Sequence, residues 1–368
     1  MLINDHPFCH GPFVRAFVTP NGFYRNCCAT TPMIISQDVN FDTWWFDNNN
    51  FNNFRQKLID QQSFLPDCSS CHIAEKTTNN SFRTALNKIP IKNKLEYPKE
   101  WSVMFGSVCN LACWHCSEQY STRIESDKKR IGILSKNYKS PGKELDLRWP
   151  SFREKILESY NYHDIVTLSL LGGEPTYNKT VVDLLLLLND NNLSKRTRLE
   201  IVTNGTKPGK LISILHQNNW NYVYIAVSID AVGPKAEWLR YGCNWNEVDS
   251  TISYYKEHAD YAELHSTVSI LNIIDLPNLY TYSKDKKLKL IINYLKDPVF
   301  LSLENYDGPK IELDKDDFFA NGLGEYYDLL GSKPVSGSFQ QAKEYVTSLS
   351  KVRETNWKFD SVISTLMS

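Results

Sequence analysis

From residue 101 onward, short apolar runs alternate with amphipathic stretches. Residues 101–108, 165–171, 198–203, 222–229, 264–271 and 288–295 are rich in β-branched, aromatic and leucine side chains and read as six strands. Between them, 152–160, 180–188, 211–216, 248–258 and 276–283 carry apolar residues at helical spacing. Strand–helix alternation without hairpin signals predicts an α/β fold with a parallel sheet or open barrel. In such folds, ligands sit at the carboxyl ends of the strands.

The flanking segments follow other patterns. Residues 13–18 alternate like a strand, Thr19-Pro20-Asn21-Gly22 is a turn, and 23–27 reads as the returning strand of a hairpin. Residues 42–58 read as helical with a break at Asn48-Asn49-Asn50, and 74–87 as one further helix. The charged stretch 92–100, with Pro98, reads as a linker. A polar insertion covers 121–147, where Lys128-Lys129-Arg130 reads as a solvated surface. After residue 297 the alternation stops, and 318–330 and 339–352 have helical spacing around a turn at Gly331-Ser332-Lys333-Pro334. The expected organisation is a cysteine-bearing module over 1–95, the alternating domain over 96–300 and a helical extension over 301–368.

Composition adds exclusions. A chain of 368 residues with net charge −1 and 42% hydrophobic residues gives no support to a nucleic-acid or membrane partner. The longest aliphatic run, 181–188, is too short to cross a bilayer. The start, Met1 to His6, has neither basic residues nor an apolar core, so a cytoplasmic location is expected.

The cysteines change the picture most. Eight of the nine lie in the first third of the chain, which points to clustered metal ligation rather than a disulfide framework. Cys109, Cys113 and Cys116 fall within eight residues, just after the first strand of the alternating domain. Three thiolates leave one metal position open, whereas a structural zinc closes with four. These three residues are therefore expected to hold a [4Fe–4S] cluster with one open iron. Cys9, one of Cys27 and Cys28, Cys68 and Cys71 supply four further ligands, with Cys27 favoured. Their spacing alone is compatible with zinc or with a cluster.

Three more motifs end strands. Gly172-Gly173-Glu174-Pro175 combines close backbone approach with an acceptor for an ammonium. Thr203-Asn204-Gly205-Thr206 follows the next strand, and Ser228-Ile229-Asp230 the one after, with Arg240 available to bind a carboxylate. Together these suit a bound α-amino acid.

On these residues the chain resembles the radical S-adenosylmethionine (SAM) enzymes. Their Cys-x3-Cys-x2-Cys signature appears as Cys109, Cys113 and Cys116, and their methionine-amine motif as Gly172, Gly173, Glu174 and Pro175. Ser228 and Arg240 look like the pair that holds the methionine carboxylate in the SPASM and twitch branch, of which Asn204 and Asp230 are also common residues. Cys9, Pro20-Asn21-Gly22, Cys27 and Cys68-x2-Cys71 resemble a twitch or SPASM module placed before the barrel rather than after it. The resemblance implies a partial (β/α)6 TIM-like barrel, SAM at the open iron and a second, auxiliary [4Fe–4S] cluster. It also implies an external reductant such as flavodoxin or ferredoxin. The implied activity is reductive cleavage of SAM to a 5′-deoxyadenosyl radical that abstracts hydrogen, with a peptide or protein as first-choice substrate. Oxidation or epimerisation of a sugar or other small molecule is the second choice. A non-catalytic iron–sulfur or zinc scaffold or electron carrier is the reading from another class.

Several residues have plainer readings. Glu118 reads as a solvated helix residue, and Cys243 as a small buried side chain. His10, His72 and His115 adjoin metal cysteines without being expected as ligands, and Tyr177 reads equally as pocket wall or packing.

Overall fold

The computed structural model describes residues 8–27, 35–36, 40–60, 64–78, 81–92, 94–140, 144–206, 211, 213–215, 219–353 and 361–367. Its strands in chain order are β1 (Arg15–Val18), β2 (Tyr24–Arg25), β3 (Ile35–Ser36), β4 (Glu100–Met104), β5 (Ala112–Cys113), β6 (Val166–Leu171), β7 (Thr197–Thr203), β8 (Tyr222–Ser228), β9 (Arg240–Tyr241), β10 (Tyr261–Val268) and β11 (Lys289–Tyr294). Nine of them form one open sheet in the order β11-β10-β8-β7-β6-β4-β1-β2-β3. The six predicted strands are all present, parallel, and neighbours in sequence order. The chain therefore has an α/β fold with a mostly parallel central sheet.

The first predicted strand is shorter than its apolar run. It ends at Met104, because Gly106 turns the chain with φ +64° and takes residues 105–108 out of the ladder. The stretch 74–87 is not one helix but two, Ser69–Thr78 and Phe82–Leu86. The second begins at Ser81, whose side chain accepts from Thr84 N–H in a capping box. Likewise 318–330 divides into Lys315–Ala320 and Gly324–Leu329, separated at Gly322 with φ +71°. The predicted hairpin pairs Phe17 with Arg25 and Val18 with Tyr24, although Gly11–Val14 is a helical turn started at Pro12.

The N-terminal segment shares the main sheet. β1 runs parallel to β4 with Ala16 opposite Trp101, and Phe41 packs its ring 4.7 Å from that of Trp101. Trp44, Trp45 and Phe51 are fully buried in the same core as Val103, Leu168 and Leu199. Aromatic burial on this scale is a main source of stability. A second core joins β8 and β10 to the helix Ser338–Arg353 through Val227, Leu264, Val346 and Leu349.

One face of the sheet is polar. Arg15 donates to Ser102 and Ser169, Ser169 to Glu200, and Tyr224 to Glu263, which also contacts His265. At the carboxyl ends of the strands this face opens into a cavity of about 1040 Å³. No helix among the described residues is long and apolar enough to cross a membrane.

Candidate functional site

The cavity brings together Cys109, Cys113 and Cys116 with Gly172, Gly173, Glu174, Asn204, Ser228 and Arg240. Pro175 lies buried behind them at the start of a short turn, Pro175–Tyr177. Tyr177 stands exposed outside the lining.

Backbone contacts between motifs build this arrangement. Gly172 (φ +80°) and Gly173 (φ +49°) adopt conformations that favour glycine. A Cβ on Gly172 would meet Met104 at 2.9 Å, and one on Gly173 would meet the Val108 carbonyl oxygen at 2.3 Å. Glu174 N–H donates to that same carbonyl at 2.8 Å, so the glycine turn fixes the base of the cysteine loop. The tip of the loop is held by a second sheet, in which Cys113 faces Arg240 and Ala112 faces Tyr241 across β5 and β9. Trp114 adds a hydrogen bond from its indole to Trp238 O at 2.7 Å and stacks on that ring at 4.7 Å.

Glu174 is fully enclosed. Its Oε1 accepts from Thr176 N, Thr176 Oγ1 and Thr203 Oγ1, and its Oε2 from Asn204 N at 2.6 Å. Burial pushes the carboxyl up, and these donors hold it partly back. Oε2, with one donor, keeps acceptor capacity for an ammonium. Asn204 reaches the cysteine loop directly: its Nδ2 donates to Asn110 Oδ1 at 2.9 Å and lies 3.9 Å from Cys109 Sγ.

Asp230 governs Arg240. Their Oδ2 and Nε are 2.8 Å apart but misaligned for a hydrogen bond, so the contact is chiefly coulombic. Burial opposes the Asp230 charge, yet Arg240 and His115 outweigh it and hold the carboxyl below its usual range. His115 Nε2 lies 3.5 Å from the same Oδ2, which engages it away from a metal role. The Arg240 guanidinium borders the cavity with no other ion-pair partner among the described residues.

The donor set fits a cluster. Burial pushes the Cys109 thiol up to about 12, with Cys113 adding to the shift, and it raises Cys113 and Cys116 as well. Three clustered thiolates, one buried and two half-buried, need compensating positive charge, which bound iron would supply. Leu111 N–H already donates to Cys109 Sγ at 3.4 Å. Among the described residues no three His, Cys, Asp or Glu side chains converge on one ion. Thiolates that bind different irons of one cluster need no such common point.

The second cysteine set lies elsewhere. None of Cys9, Cys27, Cys68 and Cys71 lines the large cavity. Cys9, Cys68 and Cys71 are each pushed up by burial and, to a lesser degree, by the charge of Cys27, which places the four in one electrostatic neighbourhood. Cys28 lies outside the described residues. Asn87 brackets Cys9, donating to Phe8 O and accepting from His10 N–H, while buried Arg83 pairs with Glu75 and donates to Phe8 O. His10 contacts Ile89 O at 2.6 Å, and His72 packs on Phe64.

Sequence reasoning missed one wall of the cavity. Glu118 is no solvated helix residue: it lines the cavity and pairs with Lys128 Nζ at 2.6 Å, which draws Lys128 out of its expected surface run. Gln341, Glu344, Tyr345 and Ser348 of the C-terminal helix complete that wall. Their i, i+3, i+4, i+7 spacing was a legible signal of one shared face. Cys243 is half-buried and packs beside the core, with its thiol near Ala236 O.

Residues 103–275 match the family model described as Radical SAM superfamily. No curated protein matches the sequence. Among solved structures, native anSMEcpe with bound AdoMet is similar at 22% identity and TM-score 0.41, covering 66% of this chain and 65% of that one. Streptococcus suis SuiB bound to S-adenosylmethionine is similar at 18% identity and TM-score 0.35, covering 85% and 60%. SuiB bound to precursor peptide SuiA gives 15% identity and TM-score 0.38, covering 93% and 71%. The chain thus spans less than two thirds of the length of anSMEcpe.

Proposed function

We propose that this chain is a radical SAM enzyme that reductively cleaves S-adenosylmethionine and abstracts hydrogen from a peptide or protein substrate. The observation that carries this reading is the shared cavity, where the three-cysteine loop opens beside acceptors for an ammonium and a cation for a carboxylate. Cys109, Cys113 and Cys116 would hold a [4Fe–4S] cluster, leaving one iron for the cofactor. When bound and reduced, the cluster supplies the electron that splits a carbon–sulfur bond of SAM into methionine and a 5′-deoxyadenosyl radical.

The chain's own residues orient the reactants. Glu174 Oε2 accepts from the methionine ammonium, and Arg240 with Ser228 binds its carboxylate. Asp230 keeps Arg240 charged and aimed at the cavity. Asn204 ties the cofactor side to the cysteine loop through Asn110. The wall formed by Glu118, Lys128 and the C-terminal helix faces the remaining space and receives the substrate. Fixing reactants in this way lowers the entropy cost of the hydrogen transfer and excludes water.

Cys9, Cys27, Cys68 and Cys71 would bind an auxiliary [4Fe–4S] cluster that accepts the electron left on the substrate, while an external reductant such as flavodoxin or ferredoxin would supply the electron to the cluster at Cys109, Cys113 and Cys116. Their four thiols match full coordination of a cluster. The test is anaerobic reconstitution followed by iron analysis and product detection. About eight irons per chain are expected from two such clusters, with 5′-deoxyadenosine formed on adding dithionite and SAM. A zinc-loaded protein that forms no 5′-deoxyadenosine after reconstitution would refute the proposal.

A further inference from the structure

Arg353, at the end of the helix Ser338–Arg353, is a buried cation that the chemistry above leaves without a role. Its side chain is 0% exposed, and its Nε donates to Asp127 Oδ2 at 2.9 Å. Its two terminal nitrogens have no hydrogen-bond partner among the described residues. The guanidinium carbon lies 4.3 Å from the Trp114 ring and 5.2 Å from the Tyr241 ring. Trp114 follows Cys113, Tyr241 follows Arg240, and Cys113 and Arg240 face each other in the β5–β9 ladder. Arg353 therefore presses against both strands of the ladder that carries a cluster cysteine.

Burying an incompletely paired guanidinium is costly unless nearby negative charge compensates. Asp127 supplies part of that charge, and it also faces the exposed Arg130 at 3.9 Å. Among the described residues the remaining candidate is the cysteine loop, because the guanidinium lies over the ring of Trp114, the residue next to Cys113. Arg240, the other cation in the ladder, is already engaged by Asp230. Charge beside an iron–sulfur centre shifts its reduction potential, because the reduced form carries one more negative charge.

We propose that Arg353 is a positioning residue that raises the reduction potential of the cluster held by Cys109, Cys113 and Cys116, so that an external one-electron donor reduces it more readily. The proposal rests on the radical SAM reading of that loop. It makes the C-terminal helix part of the redox centre, outside the barrel that carries the motifs.

The test is an anaerobic redox titration of the reconstituted full-length protein, following the electron paramagnetic resonance signal that changes on adding SAM. Arg353→Met removes the charge and keeps an apolar stem in place. At a fixed potential its ratio of reduced to oxidised cluster should fall about tenfold, a shift of about 59 mV to more negative values for one electron. Arg353→Lys keeps the charge and should titrate close to wild type. Asp127→Asn removes the opposing charge and should shift the potential the other way. Arg353→Met loaded with full iron but unshifted, or shifted equally to Arg353→Lys, overturns the proposal. If Arg353→Met does not load iron, Asp127→Asn decides: an unmoved or more negative potential overturns it. A wild-type protein with no SAM-sensitive signal refutes instead the reading on which the proposal rests.

Discussion

The two cysteine sets solve the problem of burying several thiols in opposite ways. Cys109, Cys113 and Cys116 lie on one short loop, clamped at its base by the Gly172–Gly173 turn and at its tip by β9. Cys9, Cys27, Cys68 and Cys71 come from three separate segments, held by the side-chain ties of Asn87 and Arg83. The first set borders a cavity of about 1040 Å³, and none of the second does. A local loop can leave a coordination position facing a reactant. A set gathered from distant positions is suited to enclosing its metal completely.

The largest test of this contrast is removal of the cysteines. Alanine at Cys109, Cys113 or Cys116 should reduce 5′-deoxyadenosine formation to background. The double variant Cys68→Ala and Cys71→Ala should lose about half the iron and keep the SAM-sensitive signal. Loss of that signal in the double variant would mean that the two sets are not independent.

Next in size is the counter-charge of each set. Asp230→Asn strands the buried Arg240, a change expected to cost about 3–5 kcal/mol in denaturant unfolding. Glu75→Gln removes the counter-charge of the buried Arg83, which keeps its bond to Phe8 O, and Glu75 is partly exposed, so about 1–3 kcal/mol is expected. Equal losses in the two variants would remove the difference in enclosure.

Gly173→Ala probes the clamp itself. The new methyl would stand 2.3 Å from the Val108 carbonyl oxygen at φ +49°, a strain of about 1–3 kcal/mol. Iron bound by the three-cysteine loop should fall, with the Cys68–Cys71 site unaffected, as read by iron content in the background of each cysteine variant. The smallest effect belongs to the cavity wall. Lys128→Met breaks a partly exposed pair with Glu118 and should change thermal stability by no more than about 1 kcal/mol.

Much of the central sheet was legible because its signal is local. Six apolar runs of strand length became six adjacent parallel strands, since each run buries against its sequence neighbours. Where the pattern misled, a single residue decided: Ser81 caps a new helix inside 74–87, and Gly106 ends β4 four residues before the apolar run does. Glu118 and Lys128 were misread because a charged side chain on a polar stretch looks the same whether it faces solvent or a cavity. The C-terminal helix was visible as a helix, but its amphipathic pattern does not name the surface it covers.

By itself the sequence determined which segments become the parallel strands and which residues stand at their ends. Cys-x3-Cys-x2-Cys, Gly-Gly-Glu-Pro and the Ser228 and Arg240 pair are short motifs, and Cys109, Cys113, Cys116, Gly172, Gly173, Glu174, Ser228 and Arg240 all line one cavity. Tertiary structure alone decided that β1 of the N-terminal segment continues the main sheet, that Asp230 is the counter-ion of Arg240, and that Tyr345 donates to Trp114 O within the cysteine loop. The last contact joins residues 231 positions apart. Such pairings depend on which buried polar groups find partners once the cores have closed, and no local pattern of residues encodes that choice.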